Sequence, residues 1–139
     1  MIKAVLDTNI FISGLFWKGA PYEILDLWRH GAFQWVLSPE IYEEYRRVSV
    51  DMSRHFPSVD LGDIFRTMEL YCEMTEPVER FHLCTDRDDD KFIDTAVAAN
   101  AGYIITGDKA LLKVGRVESV VIIPPANFLK RLRASGDEV

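Results

Sequence analysis

The side chains best placed for chemistry in this sequence are carboxylates. Asp7 ends the apolar run Lys3-Ala4-Val5-Leu6, and Asp108 follows Tyr103-Ile104-Ile105-Thr106 with only Gly107 between. Glu44 lies beside Glu43 in a stretch of helical character that begins near Glu40. The run Asp86-Arg87-Asp88-Asp89-Asp90 leads on to Asp94, and Asp90 and Asp94 share one face of a helix. Hard divalent cations prefer oxygen ligands, and magnesium takes a few carboxylates together with water and phosphate oxygens. Two such ions roughly 4 Å apart can clamp the attacking and leaving oxygens of a phosphodiester. That chemistry requires clustered acids and no serine or histidine nucleophile. Neither a GxSxG elbow nor a glycine-rich phosphate loop is present.

Each acid also has an ordinary reading. Asp7 before Thr8 suits a helix cap, and Glu43 and Glu44 suit a solvated helix face. Residues 86–90 suit a helix N-terminus, whose dipole favours acids, and Asp108 after Gly107 suits a turn. Together the acids say more, because they point toward one end of the same sheet. Like charges brought together cost stability unless a cation offsets them.

The elements that must position these acids follow from pattern. Residues 3–6, 33–37, 103–106 and 120–123 read as buried strands, with a short strand at 75–78. Helices are expected at 8–15, at 22–29 with Pro21 at the start, and from the Ser38-Pro39-Glu40 cap to 48. Leu61, Ile64, Phe65, Met68 and Tyr71-Cys72 recur at helical spacing. Further helices are expected at 89–100, closed by Gly102, at 109–112 and at 126–132. Alternating strands and helices imply an α/β domain with a mostly parallel sheet and right-handed crossovers. In such sheets ligands bind beyond the carboxyl ends of the strands, where Asp7 and Asp108 fall. Residues 1–132 form the expected domain, and 133–139 a disordered tail.

Composition narrows the function. A chain of 139 residues that is 48% hydrophobic can bury a core as one domain. The net charge of −6 disfavours a protein that grips many duplex phosphates. It tolerates a nuclease, because each bound divalent ion returns two positive charges. His30, His55 and His82 are scattered, and Cys72 and Cys84 form no CxxC pair, so a zinc site is not expected. The N-terminal apolar run is too short for a signal peptide or membrane span, which places the protein in the cytoplasm with no membrane partner.

Five segments in order resemble the PIN domain: Val5-Leu6-Asp7-Thr8-Asn9-Ile10, Leu37-Ser38-Pro39-Glu40 with Glu43-Glu44, the run 86–96, Ile105-Thr106-Gly107-Asp108-Lys109-Ala110-Leu111-Leu112, and Ile123-Pro124-Pro125-Ala126-Asn127-Phe128-Leu129. The resemblance covers nearly the whole chain and is narrower toward toxin components of toxin–antitoxin systems, the VapC-like ribonucleases. It implies a three-layer α/β/α sandwich and a ribonuclease dependent on one or two Mg2+ or Mn2+ ions. It carries the catalytic acids onto Asp7, Glu44, Asp89 and Asp108, with Glu43 or Glu40 as fallbacks for Glu44 and Asp90 as the close rival of Asp89. Asp90 and Asp94 join these four as metal candidates, and Asn9 and Thr106 match small polar positions that orient the site. The partners implied are an RNA substrate, a cognate antitoxin protein and a second copy in a homodimer or higher oligomer. Arg46, Lys91 and Lys109 are candidates to guide RNA phosphates or are plain surface charges. Phe16, Trp17 and Tyr22 suit base stacking or a dimer contact, and Trp28 and Trp35 suit the core.

Other readings fit less well. A haloacid-dehalogenase-type phosphatase needs a second Asp at the position of Asn9 and an acid at that of Leu112. A receiver-type signalling module needs paired acids after the first strand, which are absent. A PIN fold kept as an RNA- or antitoxin-binding scaffold is the non-enzymatic alternative.

Overall fold

The computed structural model describes the backbone of residues 1–137. Its elements are β1 (Lys3–Leu6), α1 (Thr8–Phe16), α2 (Ala20–Arg29), β2 (Gln34–Leu37), α3 (Pro39–Ser53), α4 (Leu61–Tyr71), β3 (Glu73–Met74), a 3-10 turn (Arg87–Asp89), α5 (Asp90–Ala98), β4 (Tyr103–Ile105), α6 (Lys109–Val114), β5 (Arg116–Val117), β6 (Val120–Ile123) and α7 (Pro125–Asp137). The six-stranded sheet has the order β3-β2-β1-β4-β6-β5. All neighbours pair in parallel except β5 and β6. Ala4, Val5, Leu6, Ile104 and Ile105 are wholly enclosed, as strands covered by helices on both faces must be. The architecture is the expected three-layer α/β/α sandwich.

The chain leaves β1 toward β2 and β3, then returns to β4 on the other side of β1. That reversal opens a crevice beyond the carboxyl ends of β1 and β4. The core beneath it is aromatic. Phe11 stacks on Tyr45 at 4.3 Å between ring centroids and leans on Trp35 and Phe65, joining α1, α3, β2 and α4. Trp28 meets Trp35 edge-on at 4.9 Å, so both are core residues. Helices α1 and α2 approach closely at Gly14, where a Cβ would fall 2.6 Å from Leu25 Cδ1 and 2.9 Å from the Pro21 carbonyl oxygen.

Several boundaries differ from the sequence reading. Helix α3 runs past Val48 to Ser53, because Ser49 is buried and Met52 packs on the core. The short strand lies at Glu73–Met74 rather than 75–78, where it can pair with Val36 and Leu37. Asn100 at φ 54°, not Gly102, closes α5, with Asn100 N–H donating to the Val97 carbonyl and Ala101 N–H to that of Ala96. Strand β5 was not anticipated, and α7 continues beyond Leu132 to Asp137. The last part of the expected tail, residues 138–139, lies outside the described residues. Ile64, Phe65 and Met68 are buried within the chain, whereas Tyr71 of the same stripe is 67% exposed.

Candidate metal and catalytic site

Asp7 leaves β1 in extended conformation and caps α1: its Oδ1 accepts the Ile10 N–H at 2.8 Å. The side chain is also part of something larger. Its Oδ2 accepts the Thr106 hydroxyl, and the same hydroxyl oxygen accepts the Asp108 N–H at 3.0 Å. Asp108 in turn caps α6 through the Ala110 N–H at 3.2 Å. One buried hydroxyl thus couples the acids that follow β1 and β4. Burial raises the Asp7 carboxyl above its ordinary range; hydrogen bonds from Thr106 and Ile10 pull it down, and the charges of Asp108 and Glu44 push it up.

Asp89 ends the 3-10 turn and is half-buried. Its carboxyl is pushed up to about 6 by burial, by a carboxyl–carboxyl contact with Asp108, and by the charges of Asp108, Asp86 and Asp7. Asp7, Asp89 and Asp108 therefore share one electrostatic neighbourhood.

Glu44 reaches this region from α3 with both oxygens engaged. Oε1 accepts the Thr8 hydroxyl at 2.9 Å, and Oε2 pairs with the Lys91 ammonium. Lys91 is only 5% exposed and makes a second ion pair with Asp88 at 2.9 Å. Burial works against its charge, but Glu44 and Asp88 outweigh burial and raise the Lys91 ammonium above its ordinary value. Lys91 is thus neither a surface charge nor an open phosphate contact.

The remaining acids turn elsewhere. Asp94 Oδ1 accepts the Phe81 N–H at 2.8 Å, and its Oδ2 pairs with Arg80 at 3.5 Å. Asp90 Oδ1 accepts the Cys84 and Leu83 N–H groups at 2.9 and 3.2 Å. Its Oδ2 is buried without a partner among the described residues. These two acids pin residues 80–84 against α5. Asn9 is exposed on the first turn of α1. Arg46 lies over the rings of Tyr42 and Phe65, on the side of α3 that meets α4, and Lys109 is exposed next to Asp108.

Sequence reasoning placed Asp7, Thr106 and Asp108 at strand ends, and the structure brings them together. It missed Thr8 and the buried role of Lys91. Thr8 stands one residue after Asp7, and the Asp88–Lys91 spacing is that of a helical ion pair; those were the available signals.

Among the described residues no group of three or more His, Cys, Asp or Glu forms a ready metal cage. The acids are instead held by the hydrogen bonds just described. Their chemistry still fits a hard divalent cation: all donors are oxygens, and the charges of Asp108, Asp86 and Asp7 add to burial in raising Asp89.

Residues 3–110 match the PIN domain, a span that contains every acid discussed above. Uncharacterized protein MJ1680 of Methanocaldococcus jannaschii is 34% identical over 117 residues, covering 81% of this chain and 75% of that protein. PIN domains typically use divalent metals. No helix is long and apolar enough to cross a membrane among the described residues. The chain belongs to the PIN domain family, whose members are generally nucleases.

Proposed function

We propose that this protein is a magnesium- or manganese-dependent endoribonuclease that hydrolyses phosphodiester bonds in single-stranded RNA. The observation that carries this reading is the meeting of Asp7, Asp89 and Asp108 at the sheet's switch point, with Thr106 bridging two of them. Those three acids are the metal ligands in this reading. When bound, the ion supplies Lewis acidity, lowering the pKa of water and offsetting charge on the phosphate.

The chain's own groups set the geometry. Thr106 fixes Asp7 and Asp108 relative to each other, and the Ile10 N–H fixes the second oxygen of Asp7. Thr8 and Lys91 hold Glu44 at the edge of the cluster. Lys109, exposed beside Asp108, is the candidate cation for a substrate phosphate. Trp17 and Tyr22, 49% and 46% exposed, offer ring faces to unpaired bases. The net charge of −6 favours a short single-stranded contact over a long duplex footprint.

The same proposal assigns the protein to the cytoplasm as the toxin of a toxin–antitoxin pair, acting as a homodimer or higher oligomer. Its support is the likeness of the motifs to that branch of the family. The test is incubation with labelled single-stranded RNA in magnesium, manganese or EDTA. Cleavage that requires the ion supports the reading. Binding without cleavage identifies a non-enzymatic RNA-binding scaffold, and cleavage undiminished in EDTA overturns the metal mechanism.

A further inference from the structure

We propose that Lys91 is a built-in cation that takes the place of a second divalent ion, so that this acid cluster binds one ion per chain. The inference rests on the metal-dependent reading above and concerns how the site is charged. Lysine is rarely buried unless it is paired. Lys91 is 5% exposed, and its ammonium lies between Glu44 of α3 and Asp88 of the 3-10 turn, the latter at 2.9 Å. The ammonium also lies 5.2 Å from the centre of the Phe92 ring. It is therefore held on more than one side.

The consequence falls on Glu44. Its Oε1 accepts the Thr8 hydroxyl at 2.9 Å and its Oε2 carries the ammonium. For Glu44 to ligate an ion, it would have to give up a charge-assisted bond and leave a buried ammonium with one partner fewer. An ion there would also meet the repulsion of the ammonium at short range. Asp7, Asp89 and Asp108 are under no such restraint: no cation of the chain is paired with them among the described residues. Lys91 thus divides the cluster into a half already neutralised and a half that takes an ion. A merely structural ion pair between α3 and α5 would leave the number of bound ions untouched when removed.

Manganese is the probe, measured on the full chain after EDTA dialysis by titration calorimetry and by electron paramagnetic resonance of free Mn2+. The parent is expected to bind one Mn2+ per chain. Glu44→Gln is expected to keep Mn2+ affinity within about threefold, whereas Asp7→Asn loses roughly tenfold or more. Lys91→Met, which keeps the stem and removes the charge, is expected to bind a second Mn2+, and adding Glu44→Gln to it restores one. Two ions in the parent overturn the proposal. So does a tenfold loss of affinity in Glu44→Gln, or a single ion in folded Lys91→Met. No ion in the parent overturns the nuclease reading itself, which separates the two failures. Should Lys91→Met not fold, the parent's ion count and the Glu44→Gln affinity decide the matter.

Discussion

Thr106→Val removes one oxygen and nearly preserves shape. The hydroxyl it deletes is wholly buried, donates to Asp7 Oδ2 and accepts the Asp108 N–H at 3.0 Å. Leaving a buried polar group unsatisfied costs about 1–3 kcal/mol, more for a charged one. Asp7 is 5% exposed and its Oδ2 would lose the Thr106 donor, so it pays near the top of that range. The Asp108 N–H belongs to a half-buried residue that water can reach, so its loss is near the bottom. The total is about 3–4 kcal/mol, which for a chain of this length is a fall of roughly 10 °C in Tm. The same change releases Asp7 and Asp108 from their mutual alignment. Loss of a group that orients metal ligands typically costs about 10–100-fold in metal affinity or activity. Thr106→Ser, which keeps the oxygen and loses a methyl, should retain most of both. The assay is a thermal melt in EDTA, a Mn2+ titration and RNA cleavage on parent, Val and Ser variants. A Val variant that melts with the Ser variant and cleaves at the parental rate would refute the bridging role of Thr106.

In metal-free protein the Asp89 carboxyl is raised from 3.8 to about 6, so folding disfavours its ionised form. The folded state binds the proton more tightly, and stability is therefore lost as pH rises from about 4 to about 6. After allowance for solvent screening the loss is about 1–2 kcal/mol; denaturant melts of the parent in EDTA at about pH 4 and pH 8 should show it against Asp89→Asn, and parallel pH profiles would contradict it. Asp94→Ala removes the acceptor of the Phe81 N–H and the partner of Arg80. It should cost about 1–3 kcal/mol and speed amide exchange at Phe81 while leaving Mn2+ affinity as in the parent; a marked loss of affinity would return Asp94 to the metal ligands.

The parts of the fold legible in the sequence were those fixed by local pattern. Val5-Leu6, Ile104-Ile105 and Val120 to Ile123 are apolar on both faces, which only a covered strand explains. Asp7, Thr106 and Asp108 were legible because a parallel sheet gathers its functional groups at strand ends. Strand β3 was misplaced because two residues carry no period of their own; its register is set by Val36 and Leu37. Strand β5 is equally short and exists through its hairpin partner β6, helped by Glu118 at φ 53° and Gly115 at φ 77°. Asp90 and Asp94 read as ligands because helical spacing puts them on one face. That face meets the 80–84 loop, whose path no local pattern records. Lys91 was misread for the opposite reason: a lysine in a charged run is ordinarily solvated, and its burial depends on Glu44, which lies on another helix.

Asp7→Asn tests the assignment of the acid cluster most directly, because it separates the two roles that Asp7 plays. Asparagine caps a helix about as well as aspartate, so its Oδ1 can still accept the Ile10 N–H. Its amide nitrogen would face the Thr106 hydroxyl oxygen as a donor, reversing the bond that Asp7 accepts. What is lost is the charge that the cluster needs to hold a divalent ion. Asp7→Asn is expected to melt at or above the parent in EDTA, to gain little from manganese where the parent gains several degrees, and to lose cleavage of single-stranded RNA. An Asp7→Asn protein that still cuts RNA, and whose Tm rises with manganese as far as the parent's, would contradict the assignment.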